Sequence, residues 1–169
     1  WRKVEATGYV GFDETRVMTL DLTHTDLSGA VSQLPLQDVG RWVDQCIAME
    51  SFSVSVKPGL SELIGLVTGD VGLFLLEDDD GVPQAAAMAV RFGDLVGLFE
   101  IVSNPKMRGQ GFARQILRNA MLWGRDRGAR QAWLQVVAEN RPAVALYESE
   151  GFSEVYRYAY RQAPTGYHG

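Results

Sequence analysis

Three apolar runs follow one another closely in the middle of the chain and predict neighbouring β-strands. They read VGLFLLED, PQAAAMAVRFGD and LVGLFEIV, and the polar segments DDDG (78–81) and FGD (92–94) separate them. Gly and Asp between short apolar runs favour tight turns, so we expect an antiparallel meander. The alternating stretch TRVMTLDL (15–22) predicts an earlier strand, and QAWLQVVA and SEVYRYAYRQ predict two later ones.

Apolar residues recur at helical spacing elsewhere in the chain. After Gly111 they fall on one face at intervals of three and four, which predicts a long helix that Gly128 ends. A helix is also predicted from Leu36 to Ser51, and Asn140 is a good N-cap for a short later helix. Strands followed by helix, strand, helix and strand indicate the α/β class, with a mixed sheet and helices packed on it.

The composition is that of one ordinary globular domain. The 169 residues include 46% hydrophobic and 22% charged residues, with a net charge of −5. We therefore predict a single domain over residues 1–169, located in the cytoplasm, with no nucleic-acid partner. No apolar run approaches the roughly 18 residues of a membrane span, so no membrane partner is expected. One cysteine, Cys46, and two histidines, His24 and His168, predict neither a disulfide nor a metal site.

The segment RGQGFAR (108–114) places two glycines one residue apart between an apolar strand and a long helix. It is not a P-loop, because Phe112 and Ala113 stand where Lys and Ser or Thr are needed. It is not a dinucleotide fingerprint, because Arg114 stands where Gly or Ala is needed. Two interpretations remain: a plain strand-to-helix turn, or an anion site in which N–H groups at a helix N-terminus bind phosphate oxygens.

Two spaced segments, IVSNPKMRGQGFARQIL and LQVVAENRPAVALYESEGF, resemble the GNAT superfamily of acyl-CoA-dependent N-acyltransferases. The family signature Q/R-x-x-G-x-G/A lies between a strand and a long helix, and here Arg108, Gly111 and Ala113 occupy it. In the second segment Asn140 precedes a helix that carries the family's A-x-x-L-Y-E and then Gly-Phe. The resemblance covers about residues 95–152 and implies the GNAT fold, a central, mostly antiparallel sheet flanked by helices.

The resemblance implies that acetyl-CoA is the cofactor. The strand FEIVSNP splays from its neighbour in the family, and its backbone is expected to bond the pantetheine arm and to steady a developing oxyanion. The residues concerned are Ile101, Val102 and Ser103. The pyrophosphate is expected to bind to the glycine segment, which comprises Met107, Arg108, Gly109, Gln110, Gly111, Phe112, Ala113 and Arg114. The expected cofactor contacts of the later helix are Asn140, Ala143 and Tyr147.

Acyl transfer to an amine requires that amine to be neutral, whereas a lysine-like amine has a pKa of about 10. A carboxylate must therefore remove a proton, and Glu100 is the candidate because it interrupts an otherwise apolar strand. The alternative interpretation of Glu100 is a strand residue that points to solvent. Tyr147 matches the family's usual proton donor to the departing thiolate, or else it is a core tyrosine with a satisfied hydroxyl. Cys46 lies outside these motifs and is interpreted as buried apolar filler.

We therefore predict an N-acetyltransferase that acetylates a primary amine of a small molecule or a peptide by direct attack in a ternary complex. The alternative is a non-catalytic acyl-CoA-binding regulatory module, half of a tandem protein, which needs neither Glu100 nor Tyr147. GFDETRVM shares its Gly-Phe-x-Glu opening with GFSEVYRY, so residues 1–14 are open to interpretation as the tail of a preceding segment or domain. The sequence carries no signature for the acceptor, and it leaves open a homodimer or a tandem arrangement.

Overall fold

Six strands and four helices make up the described part of the chain, which in this computed structural model comprises residues 10–49, 55 and 57–162. These residues form two units. The larger unit contains residues 20–133, and the smaller unit combines residues 10–19 with residues 134–162. Most of the segment considered as a separate tail lies outside the described residues, and the single domain over the whole chain stays a prediction.

The larger unit contains the antiparallel meander that the apolar runs predict. Strands β2 (Asp70–Glu77), β3 (Pro83–Phe92) and β4 (Leu95–Ser103) pair in that order, with Phe74 opposite Ala87. The middle strand is rich in alanine, and its central part is buried on both faces. Small side chains on this strand let helices approach both faces of the meander closely.

Strand β5 (Gln131–Val137) begins beside the start of β4. The backbone N–H groups of Arg130 and Gln131 both donate to the carbonyl oxygen of Asp94, at 2.7 and 3.1 Å. Trp133 then lies over Gly97 of β4, because a Cβ built on that glycine would come within 2.9 Å of the indole Cε2. The first residues of β5 therefore follow β4 in the strand order of the larger unit.

Helix α3 (Phe112–Asp126) covers one face of the meander. Trp123 packs its indole against the ring of Phe74, with the ring centroids 5.7 Å apart, and over Gly72, where a Cβ would lie 3.1 Å from the indole Cε2. The face of α3 that the sequence predicts as apolar is half-buried at Ala113 and buried at its other members, which are Ile116, Leu117, Ala120, Met121 and Gly124.

Helices α1 (Val39–Ala48) and α2 (Lys57–Leu66) pack on the opposite face of the meander. Successive side chains of β2 point to alternate faces, so this strand contributes to the packing on both sides. The prediction started α1 too early, at Leu36. That residue instead lies along β2, where its N–H donates to the carbonyl of Leu73 at 2.8 Å, and Asp38 caps the helix. The helix also ends earlier than predicted, at Ala48 with Met49 as its C-cap, and the predicted end at Ser51 lies outside the described residues. The core on this face includes Trp42, Val43, Cys46, Met49, Ile64, Leu73, Leu75 and Ala86.

The smaller unit contains strands in the order β5-β1-β6 together with helix α4 (Arg141–Ser149). Strands β1 (Val10–Asp21) and β6 (Ser153–Gln162) pair antiparallel. The prediction started β1 at Thr15, five residues late, because an irregularity between Phe12 and Thr15 interrupts the alternation from which the strand was inferred.

The predicted α/β class is confirmed, and the meander and the β1–β6 pair make the strand pairing mostly antiparallel, as expected. Helices flank the strands in the larger unit on both faces of the meander. In the part of the chain that the structure describes, no helix has both the length and the apolar character needed to cross a membrane.

Candidate active site

The candidate residues fall into two groups, one in each unit. Glu100, residues 101–103 and the glycine segment 107–114 belong to the larger unit, where they follow one another from the second half of β4 to the start of α3. Asn140, Ala143 and Tyr147 belong to the smaller unit, at the start and in the middle of α4. The structure thus brings residues together within each group.

The glycine segment forms a turn that leads directly into α3. Gly109 and Gly111 have φ angles of 78° and 85°, a left-handed conformation that residues with side chains rarely adopt. A Cβ built on either glycine would have nothing within 4 Å among the described residues outside its immediate neighbours. The two glycines are therefore required by the conformation of the backbone, and the space beside them is open.

Gly111 is also the N-cap of α3, and no side chain in the described chain caps this helix. The first helical hydrogen bond runs from the Gln115 N–H to the Gly111 carbonyl at 2.9 Å, so the N–H groups of Phe112 and Ala113 precede it. Such N–H groups and the helix dipole favour an anion at this end of the helix. Arg108 is exposed in the same turn and adds positive charge.

Strand β4 contains one extra residue at Glu100. Between Phe99 and Val102, β4 advances three residues while its partner strand advances two, so Glu100 and Ile101 share Ala87 as their partner. Glu100 has a φ of 49° and is the one non-glycine residue with positive φ in the described part of the chain. A β-bulge with a left-handed residue is strained, and such strain clusters at functional sites.

The carboxyl group of Glu100 lies at the surface and is partly desolvated. Its side chain is exposed to solvent, yet partial desolvation raises the pKa of the Glu100 carboxyl above its ordinary value of 4.5. A carboxylate with a raised pKa is a stronger base than a fully solvated one, while its exposure lets water or a substrate reach it. The solvent-facing interpretation and the catalytic one are therefore both consistent with its position.

Residues 101–103 form the last, half-buried part of β4. Ser103 lies opposite Ala85 and so remains paired with β3 up to the end of the strand. A 3-10 turn, Pro105–Met107, then joins the strand to the glycine segment, and Met107 is half-buried where Gln110 is exposed. The end of a paired strand and the open turn are thus separated by a few residues of defined conformation.

Sequence reasoning missed Asn104, which is buried between these two segments. Its side-chain oxygen accepts a hydrogen bond from the Lys106 N–H at 3.0 Å, and its side-chain nitrogen donates to the carbonyl of Pro83 at 2.9 Å. The Asn-Pro pair after a strand is a signal for a side-chain-capped turn, and it could have indicated the first of these bonds.

Helix α4 begins as the sequence predicts. The side-chain oxygen of Asn140 accepts a hydrogen bond from the Ala143 N–H at 3.3 Å, and Pro142 occupies the first turn. Ala143 is half-buried and Asn140 is exposed. The capping role of Asn140 is thus observed, and its side-chain amide remains accessible from solvent.

Tyr147 is buried in the smaller unit, with 6% of its surface exposed. Its ring meets the edge of Phe152 at a centroid distance of 6.1 Å, and its carbonyl accepts from the Phe152 N–H at 3.0 Å. Burial raises the pKa of the Tyr147 hydroxyl to about 12, so the group stays protonated at neutral pH and can donate a proton.

Cys46 is fully buried in the core of the larger unit. Desolvation, with a smaller contribution from the charge of Glu100, raises the pKa of the Cys46 thiol to about 12. A thiol of this kind is a poor nucleophile, which agrees with its interpretation as apolar filler. Among the described residues, no three or more His, Cys, Asp or Glu side chains are grouped to hold a metal ion.

Comparison with known families and relatives shows what this chain is similar to. The model of the acetyltransferase (GNAT) family matches residues 45–152. An uncharacterized N-acetyltransferase of Bacillus subtilis, YobR, is 31% identical over 120 residues, which cover 71% of this chain and 48% of the relative. The chain therefore spans about half the length of this curated relative.

Solved structures share the fold. A GCN5-related N-acetyltransferase from Sphaerobacter thermophilus superimposes with a TM-score of 0.66 at 19% identity, over 95% of this chain and 55% of that chain. AAC(6')-Iy, solved in complex with the bisubstrate analog CoA-S-monomethyl-acetylneamine, has a TM-score of 0.58 at 19% identity, over 88% of this chain and 97% of that chain.

Proposed function

The chain belongs to the acetyltransferase (GNAT) family, and from this premise we propose that it transfers an acetyl group from acetyl-CoA to a primary amine. The amine belongs to a small molecule or a peptide, and it attacks directly within a ternary complex. The observation that carries the proposal is the open, left-handed turn at Gly109 and Gly111 before α3.

The turn fits a diphosphate group. It offers N–H groups at a helix N-terminus, open space beside two glycines, and the exposed Arg108. In this proposal residues 107–114 hold the pyrophosphate, and backbone groups of residues 101–103 hold the pantetheine arm. The solved neighbour with a CoA-containing analog supports this assignment, because its fold is the same. Acetyl-CoA, when bound, supplies an acetyl thioester as the electrophile.

Glu100 acts as the general base in this proposal. It accepts a proton from the ammonium form of the acceptor, directly or through water, and the raised pKa of its carboxyl matches that task. The bulge turns Glu100 out of the regular alternation of β4. In a regular strand the alternation of the pleat would set the direction of the Glu100 side chain. The extra residue at the bulge changes that direction.

The smaller unit supplies the proton donor. Tyr147 donates its hydroxyl proton to the departing thiolate, and the hydroxyl is protonated at neutral pH. Asn140 and Ala143, one turn or more before Tyr147 on α4, contact the pantetheine arm. In the proposed reaction Glu100 thus removes a proton and Tyr147 donates one.

Thermal unfolding with acetyl-CoA, free CoA and NAD tests the proposal. A ligand at 100 times its Kd adds about 2.7 kcal/mol to the free energy of unfolding, which gives a measurable rise in Tm. We expect a rise with acetyl-CoA and CoA and none with NAD, which also carries a pyrophosphate. Equal Tm values with and without millimolar acetyl-CoA would refute the cofactor assignment.

A positive shift is followed by turnover. Thiol release from acetyl-CoA is measured with a panel of primary amines and with peptides that carry a free N-terminus or a lysine. Release that depends on one class of amine identifies the acceptor. Binding without release for any amine would favour the non-catalytic acyl-CoA-binding module.

A further inference from the structure

Asn104 lies between the two segments to which the proposed function assigns the cofactor. It follows Ser103, the last residue of β4, and precedes the turn Pro105–Met107 that leads to Gly109. It is one of the few buried polar residues in the described chain, with 9% exposure. A buried amide must find hydrogen-bond partners within the protein, and those partners show which segments it connects.

All four polar groups of Asn104 are used. Towards β3, its backbone N–H donates to the carbonyl of Gln84 and its side-chain nitrogen donates to the carbonyl of Pro83, both at 2.9 Å. Towards the turn, its side-chain oxygen accepts from the Lys106 N–H at 3.0 Å and its carbonyl accepts from the Met107 N–H at 2.9 Å.

The side chain makes one bond in each direction, and this requires a donor and an acceptor in one short group. Asn provides both, whereas Asp lacks the donor for Pro83 and Ala lacks both groups. The bond to Pro83 ties the turn to the first residue of β3, the strand that pairs with both β2 and β4. The end of β4 and the glycine turn therefore keep a fixed separation and orientation.

We propose that Asn104 is a positioning residue, which holds the end of β4 and the glycine turn at the separation that acetyl-CoA requires. The inference rests on the proposed function, since that function assigns pantetheine to the strand end and pyrophosphate to the turn. Asn104 needs no contact with the cofactor for this role. A ligand that spans both segments gains from their fixed separation, whereas a fragment that contacts one segment does not.

The test compares acetyl-CoA with its two halves, acetyl-pantetheine and adenosine 3′-phosphate 5′-diphosphate. Each is titrated into the wild type and into Asn104→Ala, and Kd is obtained from NMR chemical shifts. We expect Asn104→Ala to weaken acetyl-CoA about tenfold, the effect of losing two modest hydrogen bonds. The Kd of each half should change by less than about twofold, because each half contacts one segment.

Two further variants separate positioning from general destabilisation. Asn104→Asp keeps the acceptor for the Lys106 N–H and loses the donor, so its Kd for acetyl-CoA should lie between those of the wild type and Asn104→Ala. Asn104→Asp also replaces Asn104→Ala in the binding test if the alanine variant fails to fold. Asp38→Ala removes another side-chain cap, that of α1, and should lower stability by about 1 kcal/mol without changing the Kd.

The inference would be overturned if Asn104→Ala raised the Kd of acetyl-CoA and the Kd of one half by the same factor. Such a result would indicate that Asn104 contacts that half locally. Unchanged binding of acetyl-CoA by both Asn104 variants would overturn it as well, and so would halves that leave the wild-type spectrum unaltered. Failure of the wild type to bind acetyl-CoA would refute the proposed function, and the inference with it. The wild-type titration therefore distinguishes the two failures.

Discussion

Glu100 faces Ala87 across the meander at the point where β4 has one residue more than β3. The extra residue shifts the alternation of side chains along β4 by one position. The β3 partners of Phe99 and Val102 therefore point to the same face of the sheet. Val102 can then pack against the core under α1 and α2. One residue in an unfavourable conformation thus allows β4 to combine a half-buried strand end with an exposed carboxylate.

The positive φ of Glu100 predicts an unusual order of stability among its variants. Glu100→Val should destabilise the protein by about 1 kcal/mol more than Glu100→Gln, because a β-branched residue is strongly disfavoured at this φ. Glu100→Gly should be at least as stable as Glu100→Gln. Urea unfolding measures all three, and a Val variant as stable as the Gly variant would contradict the left-handed conformation.

The raised pKa of Glu100 predicts how acetyl transfer depends on pH. The base is active when deprotonated, so the rate should rise with pH through a pKa above 4.5, and Glu100→Gln should remove this limb. The loss of rate should be about 100-fold to 10,000-fold. Initial rates are measured with any amine that the wild type acetylates, and a retained acidic limb in Glu100→Gln would exclude Glu100 as the titrating group.

The raised pKa of Glu100 affects stability in the opposite direction: a rise in pH increases activity and lowers the free energy of unfolding. Because the protonated form of Glu100 is favoured in the folded state, its contribution to folding becomes less favourable as pH rises through the raised pKa. Glu100→Gln should therefore be no less stable than the wild type at neutral pH. Activity and stability then change in opposite directions, which a general loss of folding does not produce.

Tyr147→Phe should separate catalysis from folding. The variant keeps the buried ring and its contact with Phe152, so stability should change by no more than about 1 kcal/mol. The rate of acetyl transfer should fall by at least about 100-fold, with the Kd for acetyl-CoA nearly unchanged. A variant with full activity in stopped-flow thiol release would assign Tyr147 to the core alone.

Two glycine-to-alanine substitutions should have opposite effects. Gly111→Ala should lower the free energy of unfolding by about 1 kcal/mol, because Ala is strained at a φ of 85°. Gly111→Ala should also weaken the binding of acetyl-CoA. Gly65→Ala, on α2 with no described residue within 4 Å of the added Cβ outside its immediate neighbours and its own helix, should stabilise the protein by about 0.5–1 kcal/mol and leave the Kd unchanged. Shifts of the same sign in urea unfolding would contradict this assignment.

Cys46 should be unreactive in the folded protein. Its thiol is fully buried and its pKa is about 12, so almost no thiolate forms at neutral pH. Ellman's reagent should label no thiol in the native protein and one thiol per chain in urea. Rapid labelling of the native protein would reopen a role for this residue in chemistry.

Features that depend on local sequence were predictable. The apolar face of α3, the Asn140 cap and the left-handed glycines follow from spacing and side-chain chemistry within a few residues. The bulge at Glu100 was not predictable, because LVGLFEIV is apolar almost throughout and gives no sign of an extra residue. Its existence depends on pairing with β3, which a pattern along one strand does not contain.

The same distinction explains the wrong helix start at Leu36 and the omission of Asn104. Leu36 has helical spacing with the residues after it, but a hydrogen bond to Leu73, far along the chain, draws it to the edge of β2. Asn104 depends on the carbonyl of Pro83, which lies 21 residues earlier in the sequence. Partners distant in sequence decided both positions, and they become visible when the strands are paired.

Two tryptophans lie over glycines, Trp123 over Gly72 and Trp133 over Gly97, and this arrangement sterically favours the observed alignment of the strands. The strands β2 and β4 are nearly continuous apolar runs, in which alternation distinguishes poorly between one register and the next. If β2 shifted by one residue, the side chain of Val71 or Leu73 would take the place of Gly72 beneath the indole of Trp123. Each glycine thus marks one correct alignment, and misaligned sheets, with their tendency to aggregate, are excluded by steric conflict.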